Sequence, residues 1–124
     1  MDAASGESGS RSWPFLKIET EEQDGAYVVR LSGEVDLETV TLLEGALDGR
    51  IHNSRNVILD CQHLTYIDST GFNLLADLYR QGRRFVLVAP IPIVQKVLGI
   101  MGLDMLIRVA SSVEEALKVL SKER

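Results

Sequence analysis

Residues 57–72 read VILDCQHLTYIDSTGF, and the fold turns on this stretch. Val57, Ile58 and Leu59 form an unbroken apolar run ending at Asp60-Cys61, the composition of a strand covered on both faces within a parallel arrangement. A helix follows a few residues on. Phe72, Leu75, Ala76 and Tyr79 recur at i, i+3, i+4 and i+7, which places a helix opening near Ser69 or Thr70 and stopping at Gly82. A buried strand handing over to an amphipathic helix is the building unit of a layered α/β domain, and this strand should be central.

Working outward, residues 15–20 and 26–31 read as two short strands, with Asp24-Gly25 supplying hairpin turn chemistry. Tyr27, Val29 and Leu31 share one face. After Gly33 the period lengthens: Leu37, Val40, Leu43 or Glu44, and Leu47 mark a first helix, with Asp36 placed to cap it and Gly49 to end it. Downstream, residues 85–88 form a second buried strand. Pro92 suits a first helical position, and Val94, Val97, Leu98 and Met101 make a third helical stripe ending at Gly102. Residues 106–110 can form a last strand. Ser112 and Glu115 then make a capping box ahead of a fourth helix carrying Val113, Ala116, Leu117 and Leu120. The order predicts an α/β fold: a mixed, mostly parallel sheet of four to five strands, about four helices on right-handed crossovers, and an antiparallel hairpin at the N-terminus. Residues 15–124 are read as a single domain behind a flexible polar leader, residues 1–14, which has no apolar signal core.

The chain's 124 residues suffice for one domain with a real core. Thirteen Lys and Arg against eighteen Asp and Glu give a formal charge of -5, the wrong sign for neutralising a phosphate backbone, so nucleic acid is not an expected partner. The longest nearly apolar run, residues 85–94, holds two prolines and is too short for a membrane span. No direct membrane insertion is expected, and the cytoplasm is the expected location. A single cysteine, Cys61, excludes an internal disulfide. Cys61, His52 and His63 show no metal-ligand spacing. Neither a Walker-type loop nor a GxGxxG motif occurs, so no metal or cofactor is expected, and Gly99 and Gly102 are read as a helix end.

Ser69 invites a nucleophile reading, because Gly71 matches the second glycine of G-x-S-x-G. Ile67, however, stands where the first glycine belongs. A catalytic serine would also need His63 or His52 as its base, and catalysis is not expected. Cys61 and His63, two apart, are read as a buried cysteine and a loop histidine. The cluster Asp68-Ser69-Thr70-Gly71 has two readings. One is simple N-capping, since Asp, Ser and Thr all accept from free helix amides. Yet a helix takes one cap and here three are offered, followed by a glycine that costs up to about 1 kcal/mol relative to alanine in a helix interior. On the second reading that glycine leaves the backbone open to close approach by another molecule.

Gly33-Glu34-Val35-Asp36 after a strand, the run from Leu64 through Asp68-Ser69-Thr70-Gly71 before a helix, and Gly102-Leu103 ahead of the last strand together resemble the STAS domain of bacterial anti-sigma factor antagonists. The resemblance covers residues 15–121, and Phe72-Asn73 departs from the aliphatic or small residues common there. It implies a non-enzymatic regulator, phosphorylated on Ser69 by a partner that is both anti-sigma factor and Ser/Thr kinase. The unphosphorylated form would bind that partner and free a sigma factor, the phosphorylated form would not, and a metal-dependent Ser/Thr phosphatase would reset the switch. Thr70 is the alternative phosphosite. The implied partner-binding set is Gly33, Asp36, Asp68, Ser69, Thr70 and Gly71, with Asp36 serving as cap, contact residue or both. The protein would act as a monomer or weak dimer. The family also supplies the alternative of a STAS subunit in a stress-signalling scaffold or lipid-transport complex. A phosphate would add about -1.5 to -2 charges at pH 7 at a helix N-terminus, whose free amides and dipole tolerate an anion. Against a carboxylate about 4 Å away, at an effective dielectric near 20, each unit charge would cost about 4 kcal/mol. That approaches the roughly 5.5 kcal/mol that moves an equilibrium from 1:99 to 99:1.

Overall fold

The turn at Asp24-Gly25 sets the first register of the sheet. Both residues have positive φ, 51° and 82°, the left-handed pair that a two-residue hairpin turn of matching twist requires. In the computed structural model, which describes residues 9–48 and 56–122, this turn joins β2 (Leu16–Gln23) to β3 (Ala26–Val35) in antiparallel register. A further strand, β1 (Gly9–Trp13), pairs antiparallel with β2 along its whole length. It lies inside the stretch read as a flexible leader, and it raises the sheet to six strands where four to five were expected. Its sequence, GSRSW, carries no apolar alternation. An edge strand is recruited by backbone hydrogen bonds, which leave no side-chain signature.

From β3 onward the pairing is parallel, through β4 (Asn56–Ile67), β5 (Arg84–Val88) and β6 (Arg108–Ala110), in the order β1-β2-β3-β4-β5-β6. The crossovers carry α1 (Val40–Asp48), α2 (Ser69–Arg80) and α3 (Pro92–Ile100), and α4 (Val113–Lys122) closes the chain. Because each crossover advances one strand in the same direction, right-handed connections put all three helices on one face. Leu43, Leu47, Phe72, Leu75, Val94 and Leu98 accordingly pack on Tyr27, Val29, Leu31, Val57, Leu59 and Leu87. Ala116 and Leu120 of α4 cover Val28, Ile58 and Val86 on the other face. Val57, Ile58 and Leu59 are sealed from both sides as expected, each side chain contributing about 1.5–3 kcal/mol by leaving water. The strand order never reverses, so the sheet has no switch-point crevice of the kind that receives nucleotides in doubly wound folds.

Several boundaries differ from the expectation. β4 does not stop at Cys61 but runs to Ile67, still paired with β3 after two register shifts. β5 ends at Val88, opposite Asp60, so Gln62, His63, Thr65 and Tyr66 lie exposed and their polarity disguised the strand. α1 starts at Val40, and Leu37, read as part of its buried stripe, is 72% exposed in the preceding turn. Glu115 N–H donates to Ser112 Oγ as a capping box requires, but the Glu115 carboxylate accepts from the Ser111 N–H instead of closing on Ser112. β6 begins at Arg108, not residue 106. Gly49 and His52 lie outside the described residues.

Candidate functional site

Two loops meet at the C-terminal ends of β3 and β4, and each is built by one aspartate. In the first, Asp36 Oδ1 accepts from the N–H groups of Glu38 (2.9 Å) and Thr39 (3.0 Å). The Asp36 N–H returns the favour to Thr39 Oγ1 (2.9 Å), and the buried Thr39 hydroxyl donates to Glu34 O (2.8 Å). This reciprocal box satisfies the orphan donors of the turn that leads into α1. Asp36 therefore caps, as one of its two readings held. Thr39 is the partner that sequence reasoning missed, although an Asp followed three residues later by Thr was the available signal.

In the second loop Asp68 is the N-cap of α2. Its backbone N–H donates to Val35 O (3.0 Å), which ties the loop to the end of β3. Oδ1 accepts from the N–H of Thr70 (2.9 Å) and of Gly71 (3.4 Å), and from the Thr70 hydroxyl. The Thr70 hydroxyl and then these amides, joined by the backbone of Leu37, hold the Asp68 carboxyl below its ordinary range in spite of some opposing desolvation. Asp68 thus holds the first turn of α2 with its carboxylate and the end of β3 with its backbone.

Ser69 is the first residue of α2 and is exposed, and among the described residues its hydroxyl has no hydrogen-bond partner. Thr70, half-buried, spends its hydroxyl on Asp68. The amides expected to greet an anion at this helix end are largely occupied, because Asp68 already takes those of Thr70 and Gly71. Gly71 is buried, not open to approach: a Cβ there would lie 2.5 Å from Ile67 Cγ1 and 2.9 Å from Val35 Cγ1. The glycine serves the chain's own packing, letting the first turn of α2 sit directly on β3 and β4. Gly33 is likewise structural in its surroundings, with φ at +115° and a Cβ position only 2.2 Å from Phe15 O. It marks one of the register shifts, where the Glu34 N–H donates to Phe15 O.

The structure therefore brings Asp36, Asp68, Ser69 and Thr70 to one end of the sheet and sets Gly33 and Gly71 behind them. Exposed apolar side chains frame this end: Phe15 from the β1–β2 turn, Leu37, Tyr66 at the end of β4, and Ile93 at the start of α3. Ser69 lines neither of two larger cavities, of about 450 and 150 Å³. Its surroundings suit a macromolecular surface better than an enclosed substrate. His63 is exposed and makes no hydrogen bond to Ser69 among the described residues. Cys61 is buried, and its thiol is pushed up to about 12, first by desolvation and then by Asp60. No group of three or more His, Cys, Asp or Glu side chains that could hold a metal occurs among the described residues. No helix among them is long and apolar enough to cross a membrane.

Comparison with known proteins gives a consistent result. Residues 17–116 match the STAS domain family. An anti-sigma-B factor antagonist of Staphylococcus aureus is 40% identical over 60 residues, 48% of this chain and 56% of that protein. The match thus spans little more than half the length of that curated relative. Among solved structures, an anti-sigma factor antagonist from Mycobacterium paratuberculosis superposes with a TM-score of 0.77 at 26% identity, over 90% of this chain and 99% of the other. The anti-sigma factor antagonist SpoIIAA in its unphosphorylated form gives 0.69 at 25% identity, over 85% and 96%. SpoIIAA of Bacillus in its phosphorylated form gives 0.66 at 24% identity, over 86% and 99%, a likeness of fold.

Proposed function

The chain belongs to the STAS domain family, and from that membership we propose that it is an anti-sigma factor antagonist switched by phosphorylation of Ser69. The observation that carries the reading is the contrast between two neighbouring hydroxyls: Ser69 is exposed and unengaged, whereas Thr70 is held by Asp68. A kinase must take the proton from its acceptor hydroxyl, and at Thr70 that proton is already committed to a carboxylate. In the unphosphorylated form the protein binds an anti-sigma factor that is also a Ser/Thr kinase and so releases a sigma factor. A metal-dependent Ser/Thr phosphatase restores that form. The protein itself performs no catalysis, and it works in the cytoplasm.

The local geometry supplies the mechanism. Asp68 stays ionised and keeps the nearby amides, so a phosphate on Ser69 finds few donors within its own chain and a like charge beside it. Its oxygens therefore face outward, toward whatever docks on this end of the sheet. A partner surface packed against Ser69 would have to desolvate that dianion, and any carboxylate it presented within about 4 Å would add about 4 kcal/mol per unit charge. The fold need not change for binding to be lost.

The test is incubation with the candidate kinase and ATP, followed by binding measurements. Ser69→Ala should abolish phosphate incorporation while Thr70→Ala is still labelled, and Ser69→Glu should lose affinity for the kinase. Labelling confined to Thr70 overturns the site. Stable association with a large scaffold or a transporter, indifferent to Ser69→Glu, would place the domain among structural STAS subunits instead.

A further inference from the structure

Two of the helices meet solvent with polar side chains: α2 turns Asn73, Asp77 and Arg80 outward, and α4 turns Glu114, Glu115, Lys118 and Ser121. α3 does not follow them. Its inner side, Val94 and Leu98, is sealed in the main core. A second apolar stripe, Ile93, Val97 and Ile100, recurs at i, i+4 and i+7 along one flank of the same helix. Val97 is partly buried, whereas Ile93 is 51% and Ile100 77% exposed. The polar side chains of α3 are Gln95 and Lys96, and at 100° per residue Gln95 lies on the flank across Val94 from Ile93. A helix that is apolar nearly all round belongs in an interior, so the Ile93 flank is built to be covered.

The position of the stripe says what covers it. Ile93, in the first turn of α3, already belongs to the apolar frame of the Ser69 end. From there the stripe runs away along the helix and places Ile100 about 10 Å farther on. A stable protein interface takes about 800 Å² from each partner, which as a disc is about 30 Å across, so a protein seated over Ser69 extends well beyond the two aspartate loops. Those loops offer it little to hold. The Thr70 hydroxyl and the amides of Thr70 and Gly71 are spent on Asp68, and the Thr39 hydroxyl is spent on Glu34 O. Affinity has to come from neighbouring apolar side chains, and the α3 flank continues them.

Resting on the Ser69 reading above, we propose that Ile93, Val97 and Ile100 of α3 form part of the docking surface for the anti-sigma factor kinase and receive an apolar patch of that partner. The stripe carries no charge, so a phosphate on Ser69 alters one edge of the interface and leaves the α3 contact as it was. The stripe supplies affinity, and Ser69 supplies the switch.

Ile100→Lys tests this in the full chain. A cation in the last turn of α3 suits the helix dipole, so the melting temperature should stay where it is. Binding of the unphosphorylated chain to the candidate kinase should weaken by about tenfold or more, the scale of a central interface residue. In steady-state phosphorylation KM should rise by a similar factor while kcat is unchanged, because a contact remote from the reacting hydroxyl is made equally in the ground and transition states. Ile100→Leu should restore both values, and Gln95→Lys, on the other flank, should match the wild type. Unchanged Kd and KM in Ile100→Lys, or an equal loss in Gln95→Lys, overturns the proposal. So does a loss of self-association in Ile100→Lys, measured by sedimentation, with kinase binding intact, which would assign the stripe to a second copy of the chain. If Ser69 is labelled normally while Ile100→Lys behaves as wild type, only the α3 contact fails; if the kinase does not label Ser69 at all, the phosphorylation reading fails and takes this one with it.

Discussion

Asp68 does more than end a helix. Its carboxylate accepts from the Thr70 and Gly71 amides and from the Thr70 hydroxyl, so Asp68→Ala should release the start of α2. A lost N-cap costs about 1 kcal/mol, measurable by urea unfolding, and Asp68→Asn should cost less because an amide oxygen still accepts. The folded pKa lies below the ordinary 3.8. The stabilisation is therefore complete above that value and disappears as pH falls through the lower folded one. Asp68→Asn should flatten this acid limb of the stability profile, and an unchanged limb would count against the clamp. Cys61 is a second case in which environment decides chemistry. With its pKa pushed up to about 12 and its Sγ directed to Leu59 O at 3.6 Å, the thiol stays protonated at neutral pH. Iodoacetamide should leave it unmodified in the native protein and modify it in urea; similar rates in both would show that burial does not protect it.

Among the elements, the contact of α2 with the ends of β3 and β4 is the most sensitive to a small change. Gly71→Ala would force a methyl group to within 2.7 Å of Ile67 Cδ1 and 2.9 Å of Val35 Cγ1, and overpacking of this kind costs about 1–3 kcal/mol. Combined with Ile67→Ala, which removes both Cγ1 and Cδ1, the variant should be less destabilised than the two single changes summed. Strict additivity in denaturant unfolding would mean the clash is relieved elsewhere. The sequence disclosed elements where local chemistry dictates geometry. Asp24-Gly25 had to be a hairpin turn, Val57-Ile58-Leu59 had to be buried, and Pro92 had to open a helix. It concealed elements whose logic is tertiary. The second half of β4 is polar because β5 has ended beside it, β1 pairs with β2 through a sequence that has no apolar alternation, and Leu37 follows a helical period in a turn stabilised by the Asp36–Thr39 box. The site divides in the same way. The surplus of hydroxyls in Asp68-Ser69-Thr70 was visible in the sequence, but which one is engaged depends on a side-chain bond that no spacing reveals, and the packing role of Gly71 became visible only with Ile67 and Val35 in place.

At the scale of the whole molecule, a sheet wound in a single direction keeps its large core on one face, with Ser69 at the rim where the strands end. Modification of that rim should not reach the core. Ser69 lies outside the buried residues, its hydroxyl supports no bond that phosphorylation would break, and Asp68 rather than Ser69 caps the helix. Some repulsion between phosphate and Asp68 is unavoidable. At a solvated surface it is screened, to a scale of about 1 kcal/mol for charges 4 Å apart in water. For a domain of this size such a cost lowers the melting temperature by only about 3–6 °C. The phosphorylated protein should therefore unfold in one cooperative transition within about that interval of the unmodified form, while its affinity for the kinase falls by orders of magnitude. Differential scanning calorimetry on both forms, beside a binding isotherm, separates the two effects. A much larger drop in melting temperature, or a broadened transition, would mean that the switch acts by loosening the fold and not by altering the surface it presents.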